Sequence, residues 1–239
     1  MTDLEQKNLE KFLSFPKAEL ILFDCDGVLV DSEPVAQQAT VDFAAKYGVH
    51  LTVKEAEEHF LGHAMPKIVN ILSEMAKEKL PENAEDELRN FFISLMKEKA
   101  KPLTGVKSLL QRLNKENIPF HIGSNSSLKE MVVKFEASKI AEDIKKDHIH
   151  SAADMKQPKP DPAVYLLGAE KEGISPEKTI VVEDSDTGAK AAFNAGMRCI
   201  LLRSEGQKAP GFFKEGQVAI AHNIAEVEKI IFAAVTGKS

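Results

Sequence analysis

Cysteine is scarce in this sequence, with two residues in 239, Cys25 and Cys199, both in or beside predicted strands. Two cysteines cannot build the disulfide framework of a small secreted protein, and they fit a reducing cytosol. Apolar runs are short: none approaches the roughly 18 residues that cross a membrane. The polar N-terminus also lacks the apolar stretch of a secretory signal peptide. We therefore expect a cytoplasmic protein.

An excess of positive charge is also missing. The formal net charge is −6 at pH 7, with 31 Lys and Arg residues against 37 Asp and Glu residues. This balance provides no electrostatic attraction for nucleic acid or an anionic membrane, and we expect neither as a partner. The length allows one large or two modest domains, and 43% hydrophobic residues is ordinary for a folded globule.

The most informative segment is Asp24-Cys25-Asp26-Gly27, which follows the apolar run 20–23. Such a run, bounded by glycine, predicts a central strand of a parallel sheet. Ligands bind beyond the carboxyl ends of such strands, so Asp24 and Asp26 are expected at a functional site. Two like charges a few Å apart favour a bound cation, Mg²⁺ first. A pair of solvated loop aspartates, or a helix cap, is the alternative.

Two later segments have the same form, polar residues after a strand or before a helix. Ser124 and Asn125 follow an apolar stretch and precede a predicted helix from Leu128 to about Ala137. A hydroxyl and backbone N–H groups there suit a phosphate, but taken without the first motif the segment is better explained as an ordinary helix cap. Lys159 lies between prolines that stiffen the backbone before a helix near Ala163. The alternative is a solvated turn lysine.

A further β-branched strand begins at Thr179 and ends on Glu183 and Asp184, before a helix that runs through Ala189 to Ala195. Carboxylates are ligands that suit Mg²⁺. Taken alone, this segment is equally consistent with helix capping.

Periodicity divides the chain into three parts. Residues 1–17 are predicted to form an N-terminal helical arm. From 34 to 101, apolar residues repeat at three- and four-residue intervals, the period of amphipathic helices. From Val106 onward, helices and strands alternate as in right-handed βαβ units. We predict an α/β core at 18–33 and 102–239 with an all-α insertion at 34–101.

Together, and in this order, the motifs resemble those of the haloacid dehalogenase superfamily, in its β-phosphoglucomutase-like branch of small phosphatases and mutases. The similarity runs from about residue 18 to about 202 and includes DxDGxxxDSE, SN, KPxP and EDSxxG patterns. The first and last motifs look most like those of sugar-phosphate phosphatases. The resemblance implies a Rossmann-like core with a parallel sheet, covered by a small α-helical cap formed by the insertion.

The resemblance also implies a role for each motif residue. Asp24 is expected to be the nucleophile that forms an aspartyl-phosphate, and Asp26 the general acid and base. Mg²⁺ is expected on the Asp24 carboxylate, the Asp26 backbone carbonyl and Asp184, with Glu183 helping directly or through water. The expected phosphate-binding residues are Ser124, Asn125 and Lys159.

The sequence departs from the mutases of this branch in two places. Those enzymes typically carry a histidine after the DSE segment and an arginine after a cap glycine, where this chain has Ala36 and Met65. The departure favours hydrolysis, although His63 or Lys67 could replace the arginine in part as substrate contacts from the cap. An exposed loop histidine is the alternative for His63.

We therefore expect a monomeric, Mg²⁺-dependent phosphatase of a small phosphomonoester, such as a sugar phosphate or a related phosphorylated metabolite. A phosphosugar mutase is the first alternative. The second is a binding protein that keeps the fold without the chemistry.

Overall fold

The computed structural model describes residues 3–60 and 65–237. Within them, six strands form one sheet: β1 (Leu20–Phe23), β2 (Phe120–Ser124), β3 (Ile149–Ser151), β4 (Thr179–Glu183), β5 (Arg198–Leu202) and β6 (Val218–Ala221). The strand order is β3-β2-β1-β4-β5-β6, and every pairing is parallel. The predicted α/β class with a parallel sheet is confirmed.

Ten α-helices occur in the described residues: α1 (Asp3–Leu13), α2 (Glu33–Ala45), α3 (Val53–Phe60), α4 (Met65–Met75), α5 (Ala84–Lys99), α6 (Val106–Lys115), α7 (Leu128–Ala137), α8 (Ala163–Glu172), α9 (Asp186–Asn194) and α10 (Ile224–Thr236). The helices predicted to begin near Leu128 and Ala163 begin there. None of the described helices combines the length and the apolar character needed to cross a membrane.

The sheet is covered on both faces: every residue of the central strands β1 and β4 is buried, and most of them are apolar. Successive side chains of a strand point to opposite faces. In β1, Ile21 and Phe23 therefore join one hydrophobic core, and Leu20 and Leu22 join the other. This double burial explains why the strands are continuous apolar runs rather than alternating patterns.

Helices α2 to α5 fill the segment between β1 and α6, where the sequence predicts an all-α insertion. They enclose a hydrophobic cluster of their own, which includes Phe43, Phe60, Leu72 and Leu88. Other side chains of α2 and α5, such as Ala39, belong to the main core beside the sheet. The helical segment thus has its own core and is also anchored to the sheet layer.

Strand order reverses beside β1, since β2 and β3 lie on one side of it and β4 to β6 on the other. Chain connections leave in opposite directions at such a point and open a crevice beyond the carboxyl ends of the strands. In register, Phe23 of β1 pairs with Val182 of β4. The residues that follow, Asp24 and Glu183, are therefore neighbours at the crevice.

Helix α1, in the predicted N-terminal arm, is tied to the sheet through Arg198. The Arg198 guanidinium donates to the backbone carbonyls of Phe12 (2.8 Å) and Pro16 (2.6 Å). It also lies over the rings of Phe12 and Phe15, at 5.0 and 5.5 Å from their centroids. Phe12 is fully buried in the main core, whereas Phe15 is 37% exposed.

We predict that Phe12→Ala lowers the free energy of unfolding by about 3–5 kcal/mol, because the change leaves a cavity in the core. The control, Phe15→Ala, should cost clearly less, since it removes a cation–π contact and a side chain that is 37% exposed rather than fully buried. Urea denaturation measures both. Equal, small losses in the two variants would contradict the assignment of α1 to the main core.

Candidate active site

Two carboxylates meet where β1 and β4 end. The Asp24 N–H donates to the Val182 carbonyl at 2.9 Å, which extends the pairing one residue past β1. Asp24 is 7% exposed, and Glu183 is fully buried. The expectation that the first and last motifs converge at one edge of the sheet agrees with this geometry.

Lys159 joins these two carboxylates. Its Nζ donates to Asp24 Oδ1 (2.5 Å) and to Glu183 Oε1 (2.7 Å). Burial alone would lower the pKa of Lys159, but the two carboxylates outweigh it and raise that pKa above its ordinary value. Lys159 therefore stays a cation, and its backbone N–H donates to Asn125 Oδ1 at 2.8 Å.

Both oxygens of Glu183 are hydrogen-bonded. Besides Lys159, Oε1 accepts from the Tyr165 hydroxyl at 2.8 Å. Oε2 accepts from the backbone N–H groups of Asp184 and Ser185 and from the Ser185 hydroxyl. Burial raises the pKa of Glu183, but Lys159 and these donors bring it below its ordinary value. A direct metal bond to Glu183 would displace one of these donors, so the geometry favours a residue that positions Lys159.

Asp26 faces a second buried lysine, Lys134 of α7. Lys134 Nζ lies 2.7 Å from both carboxylate oxygens, and the Ser126 hydroxyl donates to Oδ2 at 2.8 Å. Burial raises the pKa of Asp26, but Lys134, with hydrogen bonds from Ser32 and Ser126, lowers it below its ordinary value. Asp26 is therefore a carboxylate at neutral pH in this geometry.

The pKa values of Asp24 and Asp184 are shifted in the opposite direction to that of Asp26. Burial, added to the negative charge of neighbouring carboxylates, raises the pKa of Asp24 to about 7 and that of Asp184 to about 8. Carboxylate oxygens of Asp24, Glu183 and Asp184 lie within 4.8 Å of one another. A hard divalent cation between Asp24 and Asp184 would remove this repulsion, and the oxygen donors fit Mg²⁺.

Two glycines make room for these carboxylates. Gly27 has φ +73°, and a Cβ there would collide with the Asp184 carboxylate. A Cβ on Gly188 would collide with the Glu183 carboxylate. The glycines of the first and last motifs are thus required by the close approach of acidic side chains.

These residues open onto a cavity of about 990 Å³ between the strand ends and the helical segment. Ser124, Asn125 and Lys159 contribute to its wall together with Asp24, Asp26 and Asp184. From the helical side, the lining side chains include Ala36, Gln37, Thr40, Phe60, Met65 and Arg89. The cavity is large enough for a small phosphorylated metabolite.

The sequence predicts two substrate contacts from the cap, His63 and Lys67. Lys67 is exposed on α4, whereas Met65, Pro66 and Ile68 around it line the cavity. His63 lies outside the described residues. The prediction that Lys67 contacts substrate thus has no support in the cavity wall.

Sequence reasoning missed Lys134, Ser126 and Tyr165. Lys134 carried a detectable signal: it lies on the face of α7 that also holds Met131 and Phe135, and all three are buried. A lysine on an apolar helix face needs a buried partner, which here is Asp26. Tyr165 offered no comparable signal, because a largely apolar tyrosine side chain is common in a core and does not by itself indicate a charged partner.

The comparisons with known proteins agree with the fold. Residues 21–202 match the family described as haloacid dehalogenase-like hydrolase. The chain belongs to this family. The predicted family is therefore confirmed.

Two Escherichia coli (strain K12) proteins are similar over most of their length. One is a 6-phosphogluconate phosphatase, 27% identical over 81% of this chain and 86% of its own. The other is hexitol phosphatase A, 32% identical over 77% of this chain and 82% of its own. The predicted enzyme class, a phosphoric monoester hydrolase, is confirmed by these phosphatases and the family match.

A solved structure extends the similarity. A haloacid dehalogenase family hydrolase from Deinococcus radiodurans R1 is 28% identical, with a TM-score of 0.71 over 92% of this chain and 97% of that one. That structure contains bound phosphate and sodium.

We predict that Tyr165→Phe lowers the free energy of unfolding by about 1.5–3 kcal/mol, because it removes a buried hydrogen bond to a charged group. The chain has two tyrosines, and the second provides a matched control. Tyr47 donates to Glu87 at 3.1 Å in a partly buried contact, so Tyr47→Phe should cost less than about 1 kcal/mol. Chemical denaturation measures both; a smaller loss in Tyr165→Phe would contradict the buried network.

Proposed function

We propose that the protein is a Mg²⁺-dependent phosphatase that hydrolyses a small phosphomonoester through an aspartyl-phosphate on Asp24. The observation that carries the proposal is the Lys159 ammonium, held between Asp24 and Glu183 at the floor of the cavity. A cation fixed beside a nucleophilic carboxylate is suited to stabilise the charge that develops on a transferring phosphoryl group.

In the first step, a carboxylate oxygen of Asp24 attacks the phosphorus atom and the ester P–O bond breaks. Asp26 donates a proton to the departing alkoxide. Asp26 must therefore be protonated at this stage, and a protonated Asp26 cannot keep both of its 2.7 Å contacts with the Lys134 ammonium. The described geometry, with Asp26 ionised, corresponds to its base form.

In the second step, Asp26 accepts a proton from water, and the water oxygen attacks the phosphorus atom of the aspartyl-phosphate. Inorganic phosphate leaves, and the Asp24 carboxylate is restored. Lys134 and Ser126 keep Asp26 in place as a base. Lys159 stays beside the acyl oxygen throughout, and Asn125 fixes its backbone.

Asp24 and Asp184 are proposed to hold Mg²⁺, together with the backbone carbonyl of Asp26. Their raised pKa values support this assignment, because they indicate an unbalanced negative charge between the two side chains. When bound, the ion would neutralise charge on the phosphoryl oxygens. Glu183 is proposed to act through Lys159, since its oxygens are already occupied.

Helices α2 to α5 are proposed to be a cap, with the predicted boundaries 34–101, that selects the leaving group. Their cavity wall combines apolar side chains with polar ones such as Gln37 and Arg89. Such a wall suits a substrate with hydroxyl groups. The similar 6-phosphogluconate and hexitol phosphatases support a phosphorylated sugar, sugar acid or polyol as substrate.

Hydrolysis is favoured over phosphosugar mutase activity by the chemistry of the cavity wall. Ala36 and Met65, which replace the histidine and arginine expected of a mutase, both line the cavity. Neither side chain carries a proton-transfer group or a charge that would grip a second phosphate. A non-catalytic binding protein is disfavoured because every carboxylate and lysine of the motifs is present.

We predict that Asp24→Asn lowers kcat for Mg²⁺-dependent hydrolysis of p-nitrophenyl phosphate by at least about a thousandfold, because the attacking oxygen is lost. The control Asp86→Asn, an exposed position on α5, should keep the parent kcat. With sugar phosphates, free phosphate should appear in step with substrate loss. Near-parent activity of Asp24→Asn would remove Asp24 from its role, and an isomerised sugar phosphate without free phosphate would establish mutase activity.

Metal removal is a separate test. Excess chelator should abolish activity and Mg²⁺ should restore it, whereas Ca²⁺ should inhibit, because its larger coordination sphere disturbs in-line attack. Asp184→Asn should raise the Mg²⁺ concentration needed for half-maximal activity. Full activity in excess chelator would exclude the metal-assisted mechanism.

A further inference from the structure

A second cluster of ligand-type side chains lies at the opposite end of the sheet from the cavity. It comprises His121 of β2, His148 just before β3, and Glu172 at the end of α8. One ligand atom from each lies within 4.8 Å of the other two. No step of the proposed phosphatase mechanism uses them.

His148 has a fixed tautomer. Its Nδ1 lies 2.8 Å from the Phe120 carbonyl oxygen, which can only accept, so Nδ1 carries the proton. The Nε2 lone pair is then free and lies 3.8 Å from Glu172 Oε1. Metal-binding histidines characteristically donate their second ring N–H to a carbonyl in this way.

His121 can also present a lone pair on its Nε2 atom. That atom lies 2.8 Å from Glu172 Oε1, and the other ring nitrogen, Nδ1, lies 2.7 Å from His150 Nε2. When Nδ1 donates to His150, the His121 Nε2 lone pair faces the Glu172 carboxylate. Without an ion, the His121 Nε2–H donates to the Glu172 carboxylate. A divalent ion would replace that proton, and His121 Nδ1 would then donate to His150, which orients the ligand from behind.

We propose that His121 Nε2, His148 Nε2 and a Glu172 oxygen form a binding site for a divalent transition metal ion of the Zn²⁺ type. Two imidazoles and one carboxylate are a ligand set that suits Zn²⁺, and a fourth position stays open for water. Phosphatase activity does not depend on this site.

The separations lie within roughly 0.6 Å of those expected around such an ion. Two atoms each about 2.1 Å from a tetrahedral zinc ion are roughly 3.4 Å apart, and the two nitrogen–oxygen separations here, 2.8 and 3.8 Å, lie on either side of that value. The His121 and His148 rings are stacked, with centroids 3.8 Å apart, so His148 must tilt for both lone pairs to reach one ion.

Space for this tilt exists. A cavity of about 230 Å³ adjoins the cluster, lined by His148 and Glu172 and by Lys145 and Phe120. The His148 and Glu172 side chains are 14% and 27% exposed, which gives an ion a path from solvent. His121 is 1% exposed and forms the rigid inner wall.

Isothermal titration calorimetry of the full chain with Zn²⁺, in saturating Mg²⁺, tests the site. We expect one Zn²⁺ per chain, with affinity at least about tenfold weaker in His148→Gln and in Glu172→Gln. Zn²⁺ should also raise the unfolding temperature of the parent but not of these variants. Their unfolding temperatures without Zn²⁺ verify that they fold.

Two controls locate the ion. His59→Gln removes an exposed histidine elsewhere, and Asp24→Asn removes a carboxylate of the active site; both should bind Zn²⁺ as the parent does. Parent affinity in either His148→Gln or Glu172→Gln overturns the proposal. Absence of Zn²⁺ binding by the parent, or its loss in Asp24→Asn, overturns it as well.

Discussion

The site depends on one buried ion bridge, in which Lys159 joins Asp24 to Glu183. Each charge would be costly to bury alone, and removal of one partner from such a bridge typically costs about 3–5 kcal/mol. The bridge links the ends of β1 and β4 to the loop before α8. Asn125, which follows β2, accepts a hydrogen bond from the Lys159 backbone N–H and so ties the end of β2 to the same bridge. Four separate segments are thus held in one arrangement by a single ammonium group and its neighbours.

The charged side chains around the cavity floor carry an excess of negative charge. Asp24, Asp26, Glu183 and Asp184 surround the cavity floor, and the buried cations among them are Lys159 and, beside Asp26, Lys134. Asp26 has Lys134 to itself, whereas Lys159 is shared between Glu183 and Asp24. The excess of negative charge appears as raised pKa values of Asp24 and Asp184. A dianionic phosphate ester would add to this excess, which is the physical reason that the proposed chemistry calls for a divalent cation.

The sequence predicted the parts of this site that lie at strand ends, because apolar runs mark buried strands and their last residues share one edge of the sheet. It could not predict the pairing of Lys134 with Asp26, which are 108 residues apart and meet through the packing of α7. Local sequence patterns also could not predict the contact of Asn125, whose side-chain oxygen accepts a hydrogen bond from the Lys159 backbone N–H. Spacing indicates which residues gather, whereas hydrogen-bond partners depend on the tertiary fold.

Strand β2 connects the active site with the histidine cluster. Ser124 ends the strand at the cavity, and His121 lies three residues earlier, roughly 10 Å away at about 3.3 Å per residue. Their surroundings differ in chemistry, because carboxylates and lysines gather at one end and imidazoles with a single carboxylate at the other. Hard cations prefer the first set and borderline transition metals the second. With both proposed sites occupied, the two ends of one strand would hold different ions without sharing a ligand.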